Sequence, residues 1–457
     1  MEKVHFIGIG GTGISAIARL LLERGVKVSG TDLHASPYFE AVSRLGAVTR
    51  LGHHPDLAVA ADIVVRSSAV KANDPEVVAA QEVGIPVLKR SEFLPWLTKG
   101  ENTLAIAGSH GKTTTTAMLV HLLRSASLDP SFILGAEIKG LDSNAHAGKD
   151  EFFIIEADEY DYMFLGLNPT ISVVTNVEYD HPDFFRTPHD YSWAFVEFLG
   201  KTVGDGIALL SADDPGAQKL RPFLTFPAGQ LLSFGFHPAS DYRVVDYQAL
   251  EGFQRFSLIL PDGKQTRPFS IHQPGRFNVL NATAALAVAH LIGIDLDEIK
   301  DSLNSFEGTS RRFDLLCASE KVRVFNDYGH HPSQILQTIQ GARQSYPSYT
   351  VWAVWEPHTL SRTLQMQHEF AKALREADQA LILKLYSARE EDPGFSPCSI
   401  AEESGTNCIY QPDNEIAVEY IIANLTGKDI VIVFSAGKGP EFSQALCEAL
   451  HLEATND

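Results

Sequence analysis

Two glycine-rich loops, each running from a short apolar stretch into a helical pattern, constrain this chain most strongly. Phe6–Ala18 reads FIGIGGTGISAIA, and Ala105–Val120 reads AIAGSHGKTTTTAMLV. A strand that turns through glycine straight into a helix leaves the first helical N–H groups unpaired and aimed at one point. The helix dipole favours an anion there. Such units are built from parallel strands with helical crossovers, which predicts an α/β protein. The alternation opens with VHFIGIG as a strand, ISAIARLLLERG as a helix closed by Gly25, and VKVSGTD, ADIVVRSSA and IPVLKR as further strands. It restarts at TLAIAG with FFIIE and ISVVTN, and a third time with VRVFNDY, TVWAVWEP, QALILKLY and DIVIVFS. GFQRFSLILPDGKQTRPFSI carries Pro-Asp-Gly between alternating runs and reads as a hairpin, and NVLNATAALAVAHLIG reads as a helix. With 457 residues and roughly 100–200 per domain, the pattern predicts three tandem domains. Their spans are 1–99, 100–307 and 308–457, with breaks near LTKGENT and FEGTSRRFD.

The two loops differ in what they bind. Gly8-x-Gly10-x-x-Gly13, with Asp32 at the end of the next strand, has the form of the dinucleotide fingerprint. Any diphosphate-bearing nucleotide suits it, and so does a tight turn chosen for packing alone. In the second loop, Gly108, Ser109, His110, Gly111, Lys112, Thr113 and Thr114 approximate a phosphate-binding P-loop, although Ile106 stands where the strict pattern has its first glycine. Backbone N–H groups there cradle phosphate, Lys112 adds a point charge, and the Thr113 hydroxyl suits Mg²⁺. The next two strands end near Glu156 and His181, so Thr113, Glu156 and His181 are the candidate metal ligands. A solvated acid and a structural histidine are the bland alternatives. An NAD-dependent oxidoreductase built on the first loop would leave Gly-Lys-Thr and EADEYD unexplained.

Composition excludes several classes. Acidic residues outnumber basic ones 57 to 37, a net charge of −20, which argues against sequence-blind nucleic-acid binding. No apolar run is long enough to cross a bilayer, and MEKVHFIGIGG enters a strand without a leader pattern, so a cytoplasmic enzyme is expected. The four cysteines, Cys317, Cys398, Cys408 and Cys447, lack metal-type spacing and are expected to be free cytosolic thiols.

GSHGKTTTT, EADEYD, TNVEYDHPD, GRFNVLNATAA, GTSRRFD, DYGHHPSQI and EPHTLSRT, in this order and over nearly the whole chain, resemble the Mur ligases. These are ATP-dependent amide-forming enzymes of peptidoglycan precursor synthesis. Within the family, IGIGGTGISAIA, VVRSSAV and DYGHHP most resemble the branch that adds L-alanine to UDP-N-acetylmuramate. The resemblance implies a Rossmann-like UDP-binding domain, a central P-loop ATPase domain and a C-terminal Rossmann-like domain. It implies ATP as co-substrate, with Mg²⁺ or Mn²⁺, in a monomer or homodimer. The first loop would then hold a UDP-sugar, through Gly10, Gly11, Thr12 and Gly13, with Asp32, His53, Ser67 and Ser68 around it. Asn278, Arg312 and Asp327 fall where the family contacts ATP. Tyr328, His330, His358 and Arg362 fall where it places the incoming amino acid, and Lys112, Glu156, His181, His330 and Arg362 form the implied catalytic set.

The chain departs from the family at Phe277 (usually His), Asn326 (Asp), Thr359 (Arg) and Glu356 (Gln), and in FSAGKG. Relatives with a carbamylated lysine carry it after the metal histidine; no lysine lies between His181 and Lys201. A recycling ligase that joins a whole tripeptide to UDP-N-acetylmuramate shares most of these motifs and remains the nearest alternative.

Overall fold

Three β-sheets take their strands from successive stretches of the chain in the computed structural model, which describes residues 2–387, 390 and 394–452. Met1 and residues 453–457, at the outer ends of the expected first and third domains, lie outside the described residues. The first sheet has five parallel strands in the order Val48–Leu51, Lys27–Asp32, Lys3–Ile7, Ile63–Arg66, Val87–Lys89. The second sheet is built on parallel strands with Asn102–Ala107 between Ile171–Val174 and Phe152–Glu156. In the third, Asp429–Phe434 lies between Val322–Asp327 and Thr350–Trp355, again parallel.

In the first two sheets the strand order reverses at one point, and a crevice opens there beyond the strand C-terminal ends; in the third, Asp429–Phe434 is inserted between Val322–Asp327 and Thr350–Trp355, with a crevice beside it. Both glycine loops leave from these points: Gly8 follows Lys3–Ile7, and Gly108 follows Asn102–Ala107. The third crevice is flanked by Tyr328 after one strand and by Glu356–Thr359 after another.

The central strands are buried on both faces, as their continuous apolar runs require. Leu104, Ala105, Ile106 and Ala107 are all fully buried. Helix Lys112–Ser125 packs against helix Arg276–Leu291. The latter buries Ala282, Ala284, Ala285, Ala287 and Ala289, small side chains that let the two backbones approach closely. At the mouth of this contact, Gly111 has φ +82°, and a Cβ there would lie 2.4 Å from Asn281 Oδ1. Gly108 is equally committed: a Cβ would meet Thr175 Oγ1 at 2.0 Å. Loop and helix pair are thus fixed by the absence of side chain at two positions.

The central sheet extends beyond the expected parallel core. Tyr242–Leu250, Phe253–Ile259 and Phe269–Ile271 add an antiparallel edge, which includes the hairpin marked by Pro-Asp-Gly. Ser131–Ile138 and Ser143–His146 form a second antiparallel edge. Among the described residues no helix is long and apolar enough to cross a membrane.

One expectation is corrected. Cys317 and Cys447 are joined in a disulfide, while Cys398 and Cys408 are free. Strand Asp314–Ala318 carries Cys317 and helix Gly439–Ala449 carries Cys447. The two pack face to face although 130 residues separate the cysteines, a proximity that spacing alone does not reveal. Thiol titration of the denatured, unreduced protein should count two free thiols per chain, and four after reduction. Four without reduction would show that the pair is open.

Candidate active site

The Gly108–Thr114 loop carries its own counter-ion for Lys112. Lys112 Nζ donates to Glu159 Oε2 at 2.7 Å and to the Gly108 carbonyl at 2.5 Å. Glu159 is fully buried. Burial alone would raise its pKa, but the Lys112 charge and His181 outweigh that and hold it at about 2. Burial alone would lower the Lys112 pKa, and Glu159, Asp158 and Glu156 together raise it instead. Tyr191 completes this centre by donating its hydroxyl to Glu159 Oε1 at 3.1 Å. Sequence reasoning singled out Glu156 in EADEYD and missed Glu159. The signal was present as a third acid three residues on, after Asp158, but which acid turns inward depends on the chain's path after strand Phe152–Glu156.

The candidate metal ligands are partly brought together. Thr113 Oγ1 donates to Glu156 Oε1 at 2.9 Å, and the Gly135 N–H donates to Glu156 Oε2 at 2.6 Å. His181 faces Glu159 instead, at 3.6 Å, and Asp180, at 3.9 Å. The Thr113 hydroxyl and the Glu156 carboxylate, beside a helix N-terminus, form an oxygen pair that fits a hard divalent cation bound together with phosphate, while His181 meets Glu159 rather than this pair.

A cleft partly open to solvent joins this loop to the third sheet. It is lined by His110, Gly111, Thr113 and Thr114 on one side, by Asn278 and Phe277 at one end, and by Arg312 and Asp327 opposite. Asn278 is fixed by donating to the Pro274 carbonyl at 2.8 Å and accepting from Asn281 at 3.1 Å. Asp327 accepts the N–H groups of Phe313 and Gly329 at 2.9 and 2.7 Å. Its pKa is raised by burial, against the pull of Arg312 and these donors. Ser109, the remaining loop residue of the expected set, is turned away to the Glu178 carbonyl.

Beside the Gly108–Thr114 loop, the segment 178–181 meets the third sheet's loops. Glu178 accepts from His110 at 3.0 Å and bonds Ser333, with His331 at 3.7 Å. Burial opposes its ionisation, but His110, His331 and Ser333 hold its pKa at about 2. Arg362 donates to Asp180 Oδ1 through both Nε, at 3.0 Å, and Nη2, at 2.8 Å. His330 lies 3.6 Å from Asp180 Oδ2. Burial, then the Arg362 charge, push the His330 pKa down to about 3, and burial with His110 pushes that of His331 to about 4. Tyr328 is flanked by Arg311 and Arg312, with guanidinium carbons 4.8 and 5.0 Å from its ring. His358 stacks on Tyr386 at 5.8 Å. Thr359 adopts φ +65°, a conformation that strains a β-branched residue.

The first sheet's edge is organised around the other loop. The Gly10 N–H donates to Asp32 Oδ2 at 2.8 Å, and a Cβ on Gly13 would lie 2.1 Å from Arg90 Nη1. Thr12 bonds Tyr38, and Ser67 packs against Gly8. Ser68 is exposed, and His53 pairs with Asp74 at 3.4 Å. Arg90, which sequence reasoning passed over at the end of IPVLKR, reaches Asp158 at 3.1 Å and so joins this edge to the central loop.

Comparison with known proteins places this arrangement. Residues 3–102 match the family described as Mur ligase family, catalytic domain; residues 106–289 match the Mur ligase middle domain; residues 311–437 match the Mur ligase, glutamate ligase domain. The chain belongs to the Mur ligase family. It is 38% identical over 451 residues to the UDP-N-acetylmuramate–L-alanine ligase of Renibacterium salmoninarum, covering 98% of this chain and 96% of that protein. Its structure is similar to that of UDP-N-acetylmuramate-alanine ligase from Thermotoga maritima, with a TM-score of 0.81, 25% identity, and coverage of 98% and 99% of the two chains. A murein peptide ligase from Psychrobacter arcticus shares the fold, with a TM-score of 0.71 and 23% identity over 98% and 99% of the chains.

This Mur ligase site should be sensitive to acid and to loss of Glu159. Glu159→Gln leaves Lys112 buried without its counter-charge, a change that costs about 3–5 kcal/mol and should be read as a lower midpoint in chemical denaturation. A variant of unchanged midpoint would show that the pair is dispensable. The pH dependence has a definite sign. His330 and His331 take up protons in the unfolded chain near 6.5 but in the folded protein only near about 3 and about 4. Stability present at neutral pH is therefore lost as pH falls below about 6.5, and for His330 alone the loss reaches about 2 kcal/mol by about pH 5. Glu159 and Glu178, depressed from 4.5 to about 2, add a further loss below about pH 4.5. His330→Gln should flatten the profile between about pH 7 and 5; an unchanged slope would contradict the assignment.

Proposed function

We propose that the chain joins L-alanine to UDP-N-acetylmuramate with ATP as the driving co-substrate. The observation that carries this reading is the cleft, which brings His110, Gly111, Thr113 and Thr114 of the second glycine loop together with Arg312 and Asp327, while Arg362 and His330 meet the central segment through Asp180. Similarity over the whole chain to alanine-adding ligases supports the same substrates. In this reading residues 1–99, 100–307 and 308–457 bind the UDP-sugar, ATP and the amino acid in turn.

The chemistry follows from charge. A free carboxylate is a poor electrophile because its oxygen is a poor leaving group. Its attack on the γ-phosphorus of ATP forms a C–O–P bond and releases ADP. The amine of alanine then attacks the carbonyl carbon, the C–O bond breaks, and phosphate leaves with one former carboxylate oxygen. In the first step two anions approach each other, so the site must concentrate positive charge. Lys112 supplies it from the loop and Arg312 from across the cleft. Thr113 and Glu156 would hold Mg²⁺, with His181, which faces Glu159, as the third expected ligand; the ion would neutralise phosphate charge.

Arg362 offers a guanidinium fork to the carboxylate of the amino acid. His330 has too low a pKa to act as a base at neutral pH, so its part is to orient the amine. Around the UDP moiety, Gly10 to Gly13 cradle diphosphate, with Asp32, Ser67 and Arg90 at the rim. His53, on the same strand edge, and Ser68 complete the proposed set.

Phosphate release with ATP, Mg²⁺ and UDP-N-acetylmuramate should require L-alanine and give a product heavier by one alanine residue. Turnover only with the L-Ala-γ-D-Glu-diaminopimelate tripeptide would overturn the reading in favour of the recycling reaction. Lys112→Met should lower kcat by about 100-fold or more while the chain still folds; near-normal turnover would remove Lys112 from the mechanism.

A further inference from the structure

Asp180 is 2% exposed and has no part in the reaction as written above. A buried carboxylate needs compensating partners, and those of Asp180 come from two places. One is its own neighbour: Oδ1 accepts the His181 backbone N–H at 2.7 Å, and His181 takes the left-handed φ of +57°. The other is the C-terminal segment, through Arg362 at 2.8 and 3.0 Å and His330 at 3.6 Å. These contacts hold its pKa well below the usual carboxylate range, against the effect of burial.

We propose that Asp180 is a positioning residue that locks Arg362 and His330 of the C-terminal segment against His181 of the central one. The proposal rests on the reading of Arg362 and His330 as the amino-acid pocket. Both bonds from Arg362 converge on one carboxylate oxygen and occupy one edge of the guanidinium. The remaining nitrogen, Nη1, is turned toward His358 at 3.5 Å. A planar group held along one edge presents the other edge in a fixed direction, which suits a second carboxylate. The same Asp180 side chain fixes the backbone of His181, whose ring faces Glu159 and through it Lys112. Docking of the C-terminal segment depends on the Asp180 charge, whereas its bond to the His181 N–H needs only an oxygen acceptor, which Asn also supplies.

The test uses the full chain. Asp180→Asn keeps the shape and removes the charge. It should raise the KM for the amino acid about 10-fold or more and leave the KM for ATP within about threefold. Arg362→Gln should raise the amino-acid KM as well. The double variant should be no worse than the poorer single one, because Asp180 acts through Arg362. Multiplying losses, or equal rises in both KM values, would overturn the proposal. A second readout needs no substrate. Backbone hydrogen exchange should quicken in Leu360–Gln365 and in residues 328–333 of Asp180→Asn, with helix Lys112–Ser125 unaffected. Unchanged exchange in those two segments would also overturn it. Should Asp180→Asn fail to fold, Arg362→Lys reads the same coupling: a raised amino-acid KM supports it and an unchanged one does not. If the wild-type protein uses no amino acid, the pocket reading fails, and exchange alone then decides the role of Asp180.

Discussion

A lysine that must meet phosphate has to be charged and waiting before phosphate arrives. In this protein Lys112 waits in a largely buried position, 2.7 Å from the fully buried Glu159. Neither charge is tolerable there without the other. The pair obliges the loop after strand Phe152–Glu156 to return beneath the phosphate loop, and it brings Tyr191 and His181 in to share Glu159. Much of the central site is the consequence of neutralising one cation. Phosphate bound at this loop, as proposed, would offer Lys112 a second anion beside Glu159.

The fold supplies the geometry around that pair. Each sheet opens a crevice at its strand C-terminal ends, and the crevices carry the first glycine loop, the second glycine loop, and the Tyr328 and Glu356–Thr359 loops. The crevices are linked by ion pairs that cross between sheets: Arg90 to Asp158, Lys139 to Asp314, and Arg362 to Asp180. Two glycine loops in one chain make sense in this frame. In the proposed reading one would hold the diphosphate of a sugar nucleotide and the other a triphosphate.

How much of this was legible in the sequence depends on whether the signal was local. The glycine loops, the parallel alternation and the Thr113–Glu156 meeting follow from strand–loop–helix units, in which residue type and spacing fix position. Glu159 lay in a motif already noted, but its inward turn needs the path of the following loop. Asp180 lies next to His181 and went unremarked, because its partners Arg362 and His330 are far along the chain and only docking of the third sheet reveals them. Arg90 was hidden in the same way, at the end of a strand whose pattern drew attention only as a strand. The Cys317–Cys447 pair shows the limit most plainly, since no spacing rule links a strand at one end of a domain to a helix at the other. Thr359 was noted for its residue type, yet its left-handed backbone becomes visible only in three dimensions.

In the proposed reaction a carboxylate oxygen is transferred to phosphorus at the cleft beside the Gly108–Thr114 loop. The most direct measurement is the fate of that oxygen. UDP-N-acetylmuramate labelled with ¹⁸O in its lactyl carboxylate, turned over with ATP and L-alanine, should yield inorganic phosphate carrying one ¹⁸O atom. Unlabelled phosphate would mean that the carboxylate never attacked the γ-phosphorus. The cleft between Lys112 and Arg312 would then serve a different reaction.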